Sequence, residues 1–403
     1  MSLSDDFIRT LRRIDPGEME EMLRAKARPR GFLAIELRND VRPVDLYCYL
    51  GARFGPPNGI QNFLRRDDSD NLIHWEWTLG HPAGVVSFQG MNFRTEVWIS
   101  GSPSIELSDR DQLVDQLKAD FPAHGKAMGK IRHHMEDWTE FVNPHQRIQR
   151  SVERLLKELD DLKLDPSVDR IDDHWAGFED EDLERRWNEA STRYARGFSI
   201  CFAIRSMLPV LAESYINLLM FLLLRDELKK DDRLRENATR QPIDVRIKLL
   251  SVNCNGFARQ PDYSADACRK YHSLVNERND LLHGNLVVDK LKFNDVYFLG
   301  RVPVFREYRS MWQRSLDIEM QAVGLLNVRD ELRVVEDLIV YLESCLDPSI
   351  RDHIRQAASS YQLGWNKATG RLGVLFPEQL ADMRLGLTAK DDPQASPSDE
   401  LHA

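Results

Sequence analysis

The chain has 403 residues, of which 42% are hydrophobic and 30% charged, and its formal net charge is −10. This length and apolar content predict two or three domains with substantial cores. The acidic balance excludes broad, non-specific coating of nucleic acid, which requires basic surface, but it is compatible with a local basic groove that binds one RNA.

The number of cysteines and the first residues of the chain indicate the cellular compartment in which the protein is expected. The five cysteines are odd in number and include no close pair, which favours reduced thiols over a disulfide framework: Cys48, Cys201, Cys254, Cys268 and Cys345. The first residues, Met1–Asp6, lack the basic start and apolar core of a secretory signal. We therefore expect a cytoplasmic protein.

Residues 1–122 are predicted to form an α+β domain. Leu33, Ile35 and Leu37 alternate as in a strand, and Asp45–Phe54 is helical in pattern. Three further strand-like runs are separated by glycine-containing turns, which predicts an antiparallel meander over Ile73–Leu79, Val85–Phe88 and Phe93–Ile99. A capping-box-like pair, Ser108 with Asp111, then predicts a helix that bears Leu113, Leu117 and Phe121.

The stretch Gly55–Gly59 invites comparison with a phosphate-binding loop. It lacks the Lys-Ser/Thr pair and the preceding strand that such loops require, so a turn is favoured. No catalytic constellation is predicted in this domain.

Residues 123–189 are predicted to be an antiparallel helical connector followed by an acidic linker over 160–184. Two apolar stripes define its helices, one on Met128, Ile131, Met135 and Trp138 and the other on Ile148, Val152, Leu155 and Leu159. His133 and Asp137, one helical turn apart beside His134 and Glu136, raise the question of a metal site. No third ligand follows from the spacing, so a solvated helix face is favoured and we expect neither metal nor cofactor.

Residues 190–350 are predicted to be a helical bundle. Its helices are expected at about Phe198–Arg225, Ile243–Cys254, Ser264–Leu282 and Val328–Cys345. The stretch Ile200–Leu224 is apolar enough to suggest a membrane span, but Arg205, Pro209, Glu213 and Asn217 interrupt it. A charge at a bilayer centre costs about 2.5–3.5 kcal/mol, so a buried bundle helix is favoured and no membrane partner is expected.

The most informative motif, Arg278–Asn285, lies at the end of the third of these helices. Gly284 stands where a helix ends in a left-handed residue, which places His283 in the last turn beside unsatisfied carbonyls that favour an imidazolium. Asn279 is one turn before His283 on the same face, whereas Arg278 is about 140° around the helix. A site shared between two chains is therefore the easier geometry, and a helix-capping histidine is the alternative for the spacing alone.

The motif Arg278-Asn279 followed by His283-Gly284, set in such helices, resembles the HEPN family over about residues 190–350. The resemblance implies a dimeric bundle that cleaves RNA without metal, through attack of the 2′-hydroxyl on the adjacent phosphate. His283 would act in proton transfer and Arg278 would stabilise charge on phosphorus, with Asn279 as a helper. Asn285 stands where HEPN toxins paired with nucleotidyltransferase antitoxins have a modified tyrosine, so that regulation is unsupported.

Two further groups are candidates for the site. Glu213 and Asn217, one turn apart, are candidate orienters of the Arg–His pair, and the alternative for them is a satisfied polar contact between helices. Basic residues that would contribute to an RNA groove are Arg196, Arg205, Arg269, Lys270 and Arg278.

The rest of the chain is less informative. Residues 286–318 are predicted to be an insertion covering the site, with strands at Leu286–Val288 and Val296–Leu299. Residues 351–388 are predicted to form short helices, and 389–403 a disordered tail.

The sequence thus predicts a helix-dominated, multi-domain protein with an α+β N-terminal domain and a HEPN-like bundle. We expect an endoribonuclease, a toxin or defence effector, whose N-terminal domain senses a trigger or selects substrate. The competing hypothesis is a non-catalytic bundle that dimerises and binds RNA or protein, with an N-terminal domain that binds a partner.

Overall fold

The computed structural model describes residues 4–15, 17–18, 20–21, 32–60, 72–82, 84–101, 109–171, 181–286, 288 and 292–376. The chain divides into two compact units. The first comprises the chain up to Thr139 with Trp365–Arg371 and the residues from Leu375 onwards, and the second comprises Glu140–Gly364 with Leu372–Val374. Helices dominate and the sheets are small, so the predicted helix-dominated α+β class is confirmed.

The first unit is built on an antiparallel five-stranded sheet in the order β1-β3-β4-β5-β2. Its strands are β1 (Arg12–Arg13), β2 (Phe32–Leu37), β3 (Trp75–His81), β4 (Gly84–Gly90) and β5 (Thr95–Ser100), and its helices are α1 (Phe7–Thr10), α2 (Pro43–Phe54) and α3 (Arg110–His133). Alternation puts Trp77, Leu79 and Phe88 into the core with Leu46 of α2 and Leu117 of α3. The predicted meander is therefore present as β3-β4-β5.

The loop Gly55–Gly59 follows α2 and has no regular secondary structure. The Asn58 amide donates to the carbonyl oxygens of Ile14 and Thr78, at 3.2 and 2.9 Å, and its oxygen accepts from the Thr78 N–H at 3.0 Å. The Asn58 side chain thus meets the backbone hydrogen-bonding needs of two neighbouring segments.

The second unit is organised around one long helix, α6. In chain order its helices are α4 (Pro144–Asp161), α5 (Pro166–Asp169), α6 (Glu181–Leu223), α7 (Asp226–Lys230), α8 (Asp232–Arg240), α9 (Ile243–Asn253), α10 (Asp266–His283), α11 (Ile318–Val323), α12 (Val328–Ser344) and α13 (Pro348–Ser359). Helix α6 contacts α4, α9, α10, α11, α12 and α13. Its buried residues, Ile204, Leu208 and Ile216 among them, form the centre of the core.

Helix α6 is long and apolar enough to cross a membrane by length and composition. In the structure, 56% of an apolar stretch of 18 residues in this helix is buried inside the protein. Three polar side chains that interrupt this helix, Arg205, Glu213 and Asn217, are hydrogen-bonded to residues of other helices.

The described residues also form two smaller sheets. β7 (Val296–Leu299) and β8 (Val302–Phe305) form an antiparallel hairpin. A three-stranded sheet has the order β10-β9-β6, from β6 (Trp138–Val142), β9 (Gln362–Asn366) and β10 (Leu372–Gly373). The strands β9 and β10 stand where a second short C-terminal helix was expected.

The expected helical connector over 123–189 differs from the structure. Helix α3 runs through the boundary at 122 to His133, and Trp138 begins strand β6 instead of continuing a helical stripe. Helix α4 has the predicted apolar stripe, but Val152 and Leu159 belong to the core of the second unit. Because apolar stripes must be buried somewhere, these helices belong to the units they pack against and do not form a separate connector.

Other boundaries also differ from the expectation. The linker region 160–184 contains α5, whose Asp169 accepts a hydrogen bond from Tyr194 at 2.9 Å. The N-cap of α3 is Asp109, without a side-chain cap bond, and Ser108 lies outside the described residues. Leu286 is not in a strand and Val288 is helical, with residue 287 outside the described part, as is the predicted tail 389–403.

Candidate functional site

The motif helix α10 ends as the sequence predicts. Gly284 is left-handed, with φ 62° and ψ 37°, and its N–H donates to the Asp280 carbonyl. Asn285 then donates to Asp280 twice, from its backbone N–H to the carbonyl at 3.0 Å and from its amide to the carboxylate at 2.9 Å. These bonds fix the chain just beyond His283, so the last turn of the helix is well defined.

His283 is exposed in that last turn. Among the described residues, none forms a hydrogen bond or ion pair with its imidazole. His283 is thus an exposed imidazole at the end of the motif helix.

Arg278 is half-buried on another face of α10. Its Nε is buried and has no hydrogen-bond partner in the part of the chain that the structure describes. Burial raises the pKa of the Tyr271 hydroxyl, Glu213 raises it further, and the charges of Arg246 and Arg278 oppose this rise. The guanidinium therefore lies near Tyr271, against the bundle, with part of its donor capacity unused.

No hydrogen bond joins Arg278 to His283, and helix geometry places the two residues on different faces of α10. Five positions along a helix correspond to about 140° of rotation and about 7.5 Å of rise. Arg278 is accordingly half-buried while His283 is exposed, and half-buried Asn279 is on the histidine's side of the helix. This is the arrangement that the sequence predicts.

No hydrogen bond or ion pair joins Glu213 or Asn217 to Arg278 or His283. Both accept hydrogen bonds from Arg246 of α9: its Nη1 is 2.6 Å from the Asn217 Oδ1, and its Nη2 donates to the Glu213 carboxylate. Arg246 is only 6% exposed, so these two acceptors bind its two Nη groups inside the protein, while its Nε has no partner among the described residues. The observed role of Glu213 and Asn217 is the interhelical polar contact that was the alternative to orienting the site.

Arg246 was not among the residues predicted for the site, although its position in the sequence indicates that it is buried. Ile243, Ile247 and Leu250 form the apolar stripe of α9, and position 246 falls on the same stripe. An arginine on an apolar stripe requires buried acceptors, which only the long-range packing of α9 on α6 supplies.

The predicted basic groove is largely neutralised. Arg205 bonds to Glu331 at 2.8 Å and lies 3.4 Å from Glu277, while Arg196 lies 3.5 Å from Glu158. Arg269 and Lys270 both pair with Asp266 in the first turn of α10. Of the five basic residues expected there, Arg278 is the one for which the described residues provide no ion pair.

Glu136 and Asp137, which the sequence places beside a possible metal site, bind other side chains of the protein. The Glu136 carboxylate accepts hydrogen bonds from Trp138 at 2.8 Å and Asn366 at 3.1 Å, and Asp137 pairs with Lys367 at 2.9 Å. Because α3 ends at His133, Asp137 is not one helical turn from it. Within the described ranges no group of three or more His, Cys, Asp or Glu is arranged to hold a metal ion.

A separate polar cluster involves His145 at the start of α4. Its Nδ1 is 3.0 Å from the Ser214 hydroxyl, and burial lowers the pKa of His145 to about 4. Nearby in the same unit, Tyr215 donates to Glu343, which also accepts from Arg355. This cluster was not predicted, because its members are far apart in sequence and match no motif.

No protein-family model, curated protein or solved structure matches the chain.

We predict that Glu213→Ala lowers the free energy of unfolding by about 2 kcal/mol, because it leaves the buried Arg246 with one acceptor fewer. A double-mutant cycle with Glu213→Leu and Arg246→Met, measured by urea unfolding, should give a coupling energy of about 1–3 kcal/mol. The control is Glu184→Leu, an exposed carboxylate on the same helix. A coupling energy near zero would contradict the pairing of Glu213 with Arg246.

The buried His145 predicts a specific loss of stability in acid. Its pKa is about 4 in the folded chain and 6.5 without burial, so the unfolded state binds the proton first as the pH falls through this window. Between about pH 7 and about pH 5, His145 should lower the free energy of unfolding by about 2 kcal/mol. Urea unfolding at both pH values should show this extra loss in wild type and in the exposed control His272→Gln, but not in His145→Gln. Equal losses in all three proteins would be the contrary result.

Proposed function

We propose that the chain is a metal-independent endoribonuclease of HEPN type, with Arg278 and His283 as its catalytic residues. The observation that carries the proposal is the state of these two side chains. Arg278 keeps a buried Nε without a hydrogen-bond partner in the described chain, while its basic neighbours Arg196, Arg205 and Arg269 are ion-paired. His283 is exposed at a helix end that a left-handed glycine closes.

The residue types fit the chemistry of 2′-hydroxyl attack on phosphorus. A histidine takes the proton of the attacking hydroxyl or gives one to the leaving 5′-oxygen. An arginine presents a planar fork of donors to the phosphate oxygens, where negative charge grows in the transition state. Asn279, on the side of His283, is placed to contact the phosphate or to fix the histidine.

We propose further that the active form is a homodimer, so that Arg278 of one chain and His283 of the other act on one phosphate. The separation of the two residues around α10 supports this. Apolar side chains also remain exposed in the last turn of the motif helix and after it, namely Leu282, Leu286, Phe298, Leu299, Val302 and Val304. An isolated two-stranded hairpin is marginally stable in water, so the exposed hairpin β7–β8 is well suited to being covered by a second copy.

The wider proposal is a cytoplasmic toxin or defence effector that acts on RNA without membrane attachment or a cofactor. The first unit, separate in its core from the bundle, would sense a trigger or select the RNA. The net charge of −10 would restrict binding to RNAs that fit the site closely.

The competing function is a HEPN-like scaffold that dimerises without cleaving RNA. The same exposed apolar side chains favour it, because they promote self-association whether or not the Arg–His pair is catalytic. A measurement of self-association therefore does not distinguish the two functions, whereas a measurement of RNA cleavage by wild type and by variants of Arg278 and His283 does.

We predict that the full-length protein cleaves total cellular RNA in EDTA and leaves cyclic-phosphate ends. His283→Ala and Arg278→Ala should each reduce the rate at least about 100-fold, because each removes a group needed only in the transition state. Fragment ends are mapped by sequencing after enzymatic treatment that distinguishes cyclic phosphates. His272→Ala, an exposed histidine of the same helix, and Arg269→Ala are the matched controls and should cleave as wild type does.

Equal cleavage by His283→Ala would remove this residue from the mechanism. If neither wild type nor the variants cleaved RNA, with folding and oligomeric state unchanged, the result would favour the scaffold function.

We predict that a mixture of Arg278→Ala and His283→Ala chains regains activity. In a heterodimer, one of the two sites then contains an intact arginine from one chain and an intact histidine from the other. After exchange of subunits the mixture should reach about one quarter of the wild-type rate, since half the dimers are mixed and each has one complete site. A mixture as inactive as its components, despite proven subunit exchange, would place both residues of a site in the same chain.

A further inference from the structure

A cavity of about 340 Å³ lies within the second unit among α4, α6, α12 and α13. This volume is near the lower end of the range of about 300–1,000 Å³ typical of small-molecule sites. Its apolar walls include Val152, Leu211, Leu332, Val335, Ile339 and Ala358. The cavity is separate from the Arg278 and His283 motif, so a ligand bound in it does not require that the protein cleave RNA.

Gln146 lines this cavity and carries an unsatisfied acceptor. The residue is 8% exposed, and its amide Nε2 donates to the Ser359 carbonyl at 2.8 Å. Because a carbonyl only accepts, this bond fixes which end of the Gln146 amide is nitrogen. The other end, Oε1, is buried and has no hydrogen-bond partner among the described residues. A buried acceptor without a partner costs about 1–3 kcal/mol, so a bound donor there is favoured.

His145 provides a second acceptor. The Ser214 hydroxyl donates its one proton to the Leu211 carbonyl at 2.7 Å, so it receives a hydrogen bond from the His145 Nδ1 at 3.0 Å. The ring hydrogen is therefore on Nδ1, and Nε2 keeps a lone pair. His145 is 4% exposed and lines the cavity. The low pKa of His145 keeps the ring neutral near pH 7, so the lone pair remains available.

Glu343 adds negative charge. The residue is 7% exposed, its Oε1 accepts from the Tyr215 hydroxyl at 3.2 Å, and its Oε2 accepts from the Arg355 Nε at 2.8 Å. A carboxylate has about four lone-pair positions, so these two bonds leave capacity for another donor. Glu153 and Glu336 also line the cavity, and Arg355 is the one basic residue among its lining side chains. Charge in the cavity therefore favours a cation.

We propose that this cavity is a binding site for a small organic cation, an amine or amidine on an apolar body. Its N–H groups would donate to Gln146 Oε1, His145 Nε2 and the Glu343 carboxylate. Its apolar body would contact the aliphatic walls from α4, α6 and α12. An anion of the same shape is disfavoured, because it would bring more acceptors to a site that already has an excess of them.

The test is calorimetric titration of the full-length protein with benzamidine and, as a matched probe of opposite charge, benzoate. Both have the same flat ring, so the comparison isolates donors and charge from shape. Benzamidine should bind saturably with one site per chain and at least about tenfold more tightly than benzoate. Equal affinity of the two probes would contradict the proposed preference for a cation. If neither probe bound saturably, the proposal of a binding site would be wrong and the cavity would hold only water.

Variants assign the binding to these side chains. Gln146→Met removes the unsatisfied acceptor at similar volume, and Glu343→Gln removes the charge while keeping the shape. Each should weaken benzamidine at least about tenfold, whereas Glu236→Gln, an exposed carboxylate on α8, should not change it. Thermal unfolding without ligand shows whether each variant folds. If one variant does not fold, the other still tests the site. Unchanged affinity in both folded variants would place the bound benzamidine elsewhere and overturn the site.

Discussion

The second unit depends on one constraint: helix α6 is buried along much of its length, and it carries polar side chains that must find partners inside the protein. Arg205 is paired with Glu331 of α12, and Glu213 with Arg246 of α9. Ser214 receives a hydrogen bond from His145 of α4, and Tyr215 donates to Glu343 of α12. A buried polar group without a partner is costly, so each of these bonds fixes the rotation of a neighbouring helix as well as its contact.

These bonds also separate structure from candidate chemistry. Arg205 and Arg246 join helices of the bundle to one another, and basic residues that a sequence pattern would assign to a groove are ion-paired within the protein. Arg278 and Gln146 each keep a buried donor or acceptor that the described chain does not satisfy, as do Arg193, Arg246 and Arg309. Of these residues, Arg278 lies in the motif helix and Gln146 lines a cavity, and a ligand at either place would satisfy the free group.

The elements of the fold were largely predictable, and the associations between them were not. Alternation identified β2 through β5, and the periodicity of α4, α9 and α12 identified those helices closely, because each pattern reports a face that must be buried. The predicted connector was wrong in its boundaries, since a stripe shows that a face is buried but not against which unit. Strand β9 pairs with β6, which is more than 200 residues away in sequence, and no local pattern records that pairing.

The candidate site divides in the same way. The sequence by itself determined the motif helix, its end at Gly284 and the angle between Arg278 and His283, because helix geometry and glycine's tolerance of positive φ are local properties. Only the tertiary structure decided that Glu213 and Asn217 hold Arg246, that neighbouring basic residues are neutralised, and that Gln146 and His145 present free acceptors to a cavity. Those outcomes depend on which side chains meet across helices and on the burial they share, and both are set by packing.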